Sequence, residues 1–73
     1  MTAKEMFEEL GYEEYCSKEG CWIRYRKEYK QYSHDDIVFD IKEKTIHKTT
    51  NFKVIEISAV YQQCKELGWL KEE

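Results

Sequence analysis

The spacing of apolar residues changes twice along this chain, and this change restricts the fold more than any other feature of the sequence. Near both ends the apolar side chains recur every third or fourth position, as on one side of an α-helix. Between the ends they recur every second position, as on one face of a β-strand. The chain is therefore predicted to be an α+β domain with a helix, an antiparallel sheet and a second helix.

The first helix is predicted from its start, its apolar stripe and its end. Thr2 followed by Glu5 forms the pattern of a capping box. Gly11 suits the left-handed backbone that ends a helix, and Tyr12 just beyond it is placed to contact Phe7. The stripe consists of Ala3, Met6, Phe7 and Leu10.

The last helix has the same design. Ser58 is predicted to be its N-cap, and Gly68 its stop. Trp69 follows the stop and is placed to pack back on Cys64. The predicted core-facing stripe is Val60, Tyr61, Cys64 and Leu67, with Ile57 just before the cap.

Segments 21–29, 36–41 and 45–49 alternate in the manner of strands. The segment 12–16 is placed to pair ahead of a turn, and the β-branched segment 52–57 favours a further short strand leading into the last helix. The short connections predict an antiparallel meander of three or four strands. Both helices are expected to pack on its one apolar face and to leave the other face open.

Length and composition limit the function. With 73 residues, the chain is predicted to be a single domain, 1–73. Its net charge of -3 is not typical of a dedicated duplex-DNA binder. No apolar run approaches the roughly 20 residues that span a bilayer, and the N-terminal stretch lacks the layout of a signal peptide. We therefore expect a cytoplasmic protein, in which an odd number of cysteines favours reduced thiols.

Cys16 and Cys21 flank a predicted turn, so their side chains could face each other across a hairpin. A zinc site would need two further ligands, and the candidates are Cys64, His34 and His47. Two reduced thiols at the base of a hairpin, with a facultative disulfide under oxidation, is the favoured interpretation. We predict no metal and no cofactor.

The run His34-Asp35-Asp36 places an imidazole beside two carboxylates, which is a chemistry suited to acid–base work or metal binding. Aspartates also favour turns, and a solvated turn before a strand is the favoured interpretation. No nucleophile or oxyanion hole is recognisable at a fitting spacing. The chain is therefore predicted not to be an enzyme.

The segment 22–32 combines aromatic and basic residues. Four basic side chains against Glu28 give it a local charge of +3. Trp22, Arg24 and Arg26 share the strand face opposite Ile23 and Tyr25. Such a face can stack bases and hold phosphates, anchor a protein interface, or be covered by the aliphatic stems of its own sheet.

The two helix ends also carry a family resemblance. The opening run Glu5-Met6-Phe7-Glu8-Glu9-Leu10-Gly11-Tyr12 and the closing run Lys65-Glu66-Leu67-Gly68-Trp69-Leu70 resemble small uncharacterised proteins of phages and prophages of Gram-positive bacteria. The resemblance spans most of the chain. It implies an accessory protein of the bacterial cytoplasm, and it transfers no biochemical role or functional residue.

The sequence thus favours a non-enzymatic, protein-binding accessory module of phage type. In its simplest version the protein forms a homodimer through the predicted open sheet face, which would bury Trp22. The alternative is a single-stranded nucleic-acid-binding protein that uses the basic aromatic strand 22–32. The binding candidates are Trp22, Arg24, Arg26 and Tyr29.

Overall fold

The computed structural model describes residues 1–30 and 33–70, and its architecture is the predicted helix, antiparallel sheet and helix. The sheet has four strands in the order β1-β2-β3-β4, with neighbouring strands antiparallel, which confirms the meander. The elements are α1 (Ala3–Glu9), β1 (Glu13–Cys16), β2 (Trp22–Glu28), β3 (His34–Asp40), β4 (Thr45–Lys48), a 3₁₀ turn (Val54–Glu56) and α2 (Ile57–Glu66).

The start and end of α1 follow from local hydrogen bonds. The Thr2 hydroxyl accepts from the backbone N–H of Glu5 at 3.2 Å, and the Glu5 carboxylate accepts from the backbone N–H of Thr2 at 2.8 Å. Gly11 has φ +95°, and the N–H of Tyr12 donates to the carbonyl of Phe7 at 2.9 Å. The predicted capping box and glycine stop are both confirmed.

The core lies between one face of the sheet and the two helices. The Phe7 ring of α1 stacks on Tyr25 of β2 at a centroid distance of 4.0 Å, and Phe39 of β3 lies 6.2 Å from Trp69, which follows α2. The Tyr25 hydroxyl donates to the side chain of Gln63 in α2. Both helices therefore pack on the same face, as predicted. The buried apolar residues are Ala3, Phe7, Tyr12, Tyr25, Ile37, Phe39, Ala59 and Cys64.

The approach to α2 differs from the prediction. Segment 52–57 forms no strand: residues Val54–Glu56 form the 3₁₀ turn, which continues directly into α2. Glu56, rather than Ser58, is the N-cap, and Ser58 lies inside the helix. The backbone N–H of Lys53 donates to the Glu56 carboxylate at 2.9 Å, and this carboxylate also accepts from the Tyr12 hydroxyl. These contacts override the β-propensity of the segment.

Candidate functional site

The sheet face turned away from the helices carries three of the four residues predicted to bind. Trp22, Arg24 and Arg26 alternate along β2 and are partly exposed, with side-chain exposures of 35% for Arg24 and 30% for Arg26. Tyr29 follows the last residue of β2 and is 51% exposed. Positions 31 and 32 of the predicted basic strand lie outside the described residues.

The arginines of this face already have partners within the sheet. Arg26 binds Asp36 of β3 with two hydrogen bonds, Nε to Oδ1 at 2.8 Å and Nη2 to Oδ2 at 2.9 Å. The guanidinium of Arg24 lies over the Trp22 ring, 4.8 Å from its centroid, and its Nε is 3.8 Å from Asp36 Oδ2. The hydrogen bonds from Arg26 hold the pKa of Asp36 below its usual range. Trp22 is thus partly covered by its own neighbour.

Carboxylates also lie beside the arginines. In the strand register, Glu13 of β1 is opposite Arg26, and Asp40 of β3 is opposite Trp22. The imidazole Nε2 of His34 lies 3.8 Å from Oδ2 of the same Asp36. The positive charge of β2 is therefore largely compensated on the same face, which reduces its attraction for phosphate groups.

Asp35 lies on the other side of β3 in a buried group of side chains, which we call the polar cluster: Tyr12, Asp35, Lys48 and Glu56. Lys48 Nζ is 2.6 Å from Asp35 Oδ2 and 3.6 Å from Glu56 Oε1. The Tyr12 hydroxyl donates to Glu56 and lies 3.3 Å from Asp35 Oδ2. The cluster joins the end of α1, β3, β4 and the 3₁₀ turn.

The predicted solvated turn at residues 34–36 is wrong, because all three residues belong to β3.

Burial and hydrogen bonding shift two pKa values in the polar cluster. Burial by itself raises the pKa of Asp35, but the hydrogen bonds from Lys48 and Thr49 outweigh burial and leave this pKa below its usual range. Burial, reinforced by the neighbouring carboxylate of Glu56, raises the pKa of the Tyr12 hydroxyl. The side chains of Asp35 and Lys48 are only 2% and 1% exposed, so this group is placed to stabilise the fold rather than to meet a substrate.

The predicted cysteine pair does not meet across the hairpin. Cys16 is opposite Ile23 in the β1–β2 register, and Cys21 lies just before β2. Both thiols are free and exposed, whereas Cys64 is free and buried. Within residues 1–30 and 33–70, no three His, Cys, Asp or Glu side chains are grouped so that they could hold a metal ion.

A set of exposed apolar side chains surrounds the start of α2. Val54 is 90% exposed, Ile55 70%, Ile57 51% and Tyr61 54%. Positions 54, 57 and 61 are three and four residues apart, so their side chains follow one another along the helix. We call these four residues the α2 surface. Large apolar side chains that are exposed this close together are typical of an interaction site.

The rotation of α2 about its axis explains why this surface is exposed. Ala59 and Gln63 face the interior at 1% and 4% exposure, and position 61 lies between them on the opposite side of the helix. Small Ala59 allows close packing, and Gln63 receives the hydrogen bond from Tyr25. The prediction that Tyr61 belongs to the core-facing stripe is therefore wrong.

Sequence reasoning missed the α2 surface because it assigned 52–57 to a strand. The sequence did contain a signal. Val54, Ile55 and Ile57 immediately precede the predicted helix, and side chains of adjacent residues in a helix point in different directions. At least one of these large apolar residues therefore had to face away from the core.

Comparison with known proteins leaves the function to be inferred from the geometry. No protein-family model, curated protein or solved structure matches this chain. The helices of the described residues are too short and too polar to cross a membrane. The resemblance to phage and prophage proteins accordingly stays a prediction.

Proposed function

We propose that the protein is a non-enzymatic protein-binding module whose contact surface is the α2 surface. The observation that supports this proposal is the exposure of four large apolar side chains in one short segment: Val54, Ile55, Ile57 and Tyr61. A domain of this size has little apolar material with which to build its core. Large apolar side chains placed in water contribute little to its own stability, and they lower the free energy of a complex when a partner covers them.

The α2 surface is a better candidate than the open sheet face. On the sheet face, Arg26 is engaged by Asp36 and Trp22 is partly covered by Arg24. A partner would have to displace these contacts before it could use the side chains. Dimerisation through the sheet face and single-strand nucleic-acid binding stay predictions, as do the phage-type role and the cytoplasmic location.

The proposal can be tested by selecting ligands from an unbiased displayed peptide library against the full chain. The selected peptides are then titrated against a Val54→Gln/Tyr61→Gln variant and a matched Tyr15→Gln/Trp22→Gln variant of the sheet face. Both double variants keep the net charge unchanged. We expect the α2 variant to weaken binding at least about tenfold, because burial of an apolar side chain is worth about 1.5–3 kcal/mol, and the sheet variant to bind normally.

Thermal unfolding followed by circular dichroism provides the control for folding. Since Val54 and Tyr61 are exposed, the α2 variant should differ from the parent by no more than about 0.5 kcal/mol in unfolding free energy. Failure to enrich any peptide, or loss of binding only in the sheet variant, would refute the assignment of the site.

A further inference from the structure

The charges that border the α2 surface indicate what kind of partner it fits. Lys53 precedes the surface, and Lys65 lies one turn beyond Tyr61 with its ammonium 5.6 Å from the centroid of that ring. Between these lysines the chain holds one carboxylate, Glu56, which is 3% exposed and bound to the Tyr12 hydroxyl. The exposed charges at both ends of the surface are therefore positive.

The nearest exposed carboxylate on α2 does not offset these lysines. Glu66 accepts a hydrogen bond from the backbone N–H of Ala3 at 2.7 Å and another from Gln62 Nε2 at 2.9 Å. Its charge is thus directed towards the start of α1 and the neighbouring turn of α2. The remaining exposed positions between the two lysines carry no charge.

The dimensions of the surface suit a helix. From Ile57 to Lys65 helix α2 rises about 12 Å, and the 3₁₀ turn before it lengthens the surface towards Lys53. The apolar side chains lie between the two lysines along this length. An amphipathic helix of three turns, laid along α2, would cover the apolar residues and place its ends near the lysines. Carboxylates at those ends would pair with Lys53 and Lys65.

We propose that the α2 surface binds an amphipathic helix of a partner protein whose apolar face is bordered by acidic residues, an inference that rests on the proposed function. A second copy of this chain is a poorer occupant. Pairing α2 with α2 sets lysine against lysine in either direction. The acidic helix α1 cannot serve either, because its apolar residues Ala3 and Phe7 are completely buried.

Fluorescence anisotropy with three labelled synthetic helical peptides tests this inference on the full chain. The first carries Leu at positions i, i+3, i+4 and i+7 with Glu at both ends. The second has Lys in place of Glu, and the third keeps Glu but has Ser in place of Leu. We expect the first to bind at least tenfold more tightly than the second, a difference that decreases at high salt, and the third not to bind.

Charge reversal provides the matched control. The Lys53→Glu/Lys65→Glu variant should prefer the basic peptide. Lys18→Glu/Lys42→Glu changes the net charge equally in the turns between strands, outside the α2 surface, and should keep the preference for the acidic peptide. If both Leu peptides bind equally, and Val54→Gln/Tyr61→Gln weakens both, the partner is not acidic. The inference is then overturned, and the proposed function still stands.

Two other outcomes also overturn the inference. The first is the absence of binding by any peptide at low salt, in which case the library selection decides separately whether the protein-binding function survives. The second is a dimer in sedimentation experiments that the Val54→Gln/Tyr61→Gln substitution dissociates, because the occupant is then a second copy.

Discussion

Asp35 and Asp36 are adjacent in β3 and lie on opposite faces of the sheet, where each is neutralised by a cation from a neighbouring strand. Asp36 pairs with Arg26, whose side chain is 30% exposed. Asp35 pairs with Lys48, whose side chain is only 1% exposed. Water reaches the first pair from the arginine side, although the Asp36 side chain is only 10% exposed, and it hardly reaches the second pair at all. The same ion-pair chemistry therefore has different energetic consequences on the two faces.

This difference predicts unequal effects of removing the two cations. Lys48→Met leaves Asp35 and Glu56 buried without their ammonium and should lower the unfolding free energy by about 3–5 kcal/mol. Arg26→Met removes a partly exposed cation and leaves Asp36 beside Arg24 and His34, so it should lower the unfolding free energy by only about 1 kcal/mol. Urea denaturation of both variants measures the difference. Equal losses would show that the polar cluster is no more sequestered from water than the sheet face.

At the scale of whole elements, the two helices start by different means. The first turn of α1 is held by the side chain of its own N-cap, Thr2, whereas the N-cap of α2, Glu56, makes no side-chain bond of that kind. The Glu56 carboxylate instead binds the N–H of Lys53 and the Tyr12 hydroxyl. The first contact is local and the second is tertiary, so the start of α2 is held in place partly by a residue that follows α1.

The two helix starts predict opposite results from one kind of substitution. Thr2→Ala removes the capping oxygen from α1 and should lower the unfolding free energy by about 1 kcal/mol. Ser58→Ala replaces an exposed residue inside α2 by a better helix former and should leave stability unchanged or slightly raised. Thermal unfolding of the two variants compares them directly. A comparable loss in Ser58→Ala would mean that Ser58 does cap α2, as its sequence position suggested.

At the scale of the whole molecule, the fold is elongated, with principal dimensions of 44 × 27 × 21 Å. This shape leaves a thin apolar core. Tyr12 connects that core with the polar cluster, because its ring contacts Phe7 edge to face at 5.7 Å and its hydroxyl reaches Glu56. Buried hydrogen bonds and ion pairs therefore contribute to holding the end of α1 against β3 and the 3₁₀ turn.

The stability of the fold depends on the ionised carboxylates of Asp35 and Asp36, and this predicts how the unfolding free energy varies with pH. The pKa values of Asp35 and Asp36 are lower in the folded protein than the usual 3.8. The unfolded chain therefore takes up protons first as the pH falls, so the stabilisation is complete above about pH 5 and decreases below about pH 4. The pKa of Tyr12 is raised, so its contribution is complete below about pH 10 and decreases at higher pH.

Urea unfolding at a series of pH values tests this profile. Asp36→Asn should make the acid limb shallower without changing the alkaline limb, and Tyr12→Phe should reduce the alkaline decrease. An acid limb identical in the parent and in Asp36→Asn would contradict the assignment of the shift to the Arg26 pair.

The sequence alone determined the two helices and the antiparallel meander and most of their ends, but it wrongly predicted a strand at 52–57. A capping box, a glycine stop and an alternating strand each depend on residues within a few positions of one another, so the pattern Thr2–Glu5 or the stop at Gly11 can be recognised without a fold. The polar residues at 34–36 were harder, because a turn and a strand that faces ion-pair partners have similar local composition.

Only the tertiary structure decided how α2 is rotated and what it exposes. That rotation depends on contacts between residues far apart in the chain: Tyr12 with Glu56 and Tyr25 with Gln63. These contacts draw polar side chains inward and leave Val54, Ile57 and Tyr61 in water. Apolar spacing shows that some of these residues must face away from the core, but it does not show which, because it assumes that the most apolar side of a helix is the one that faces the core.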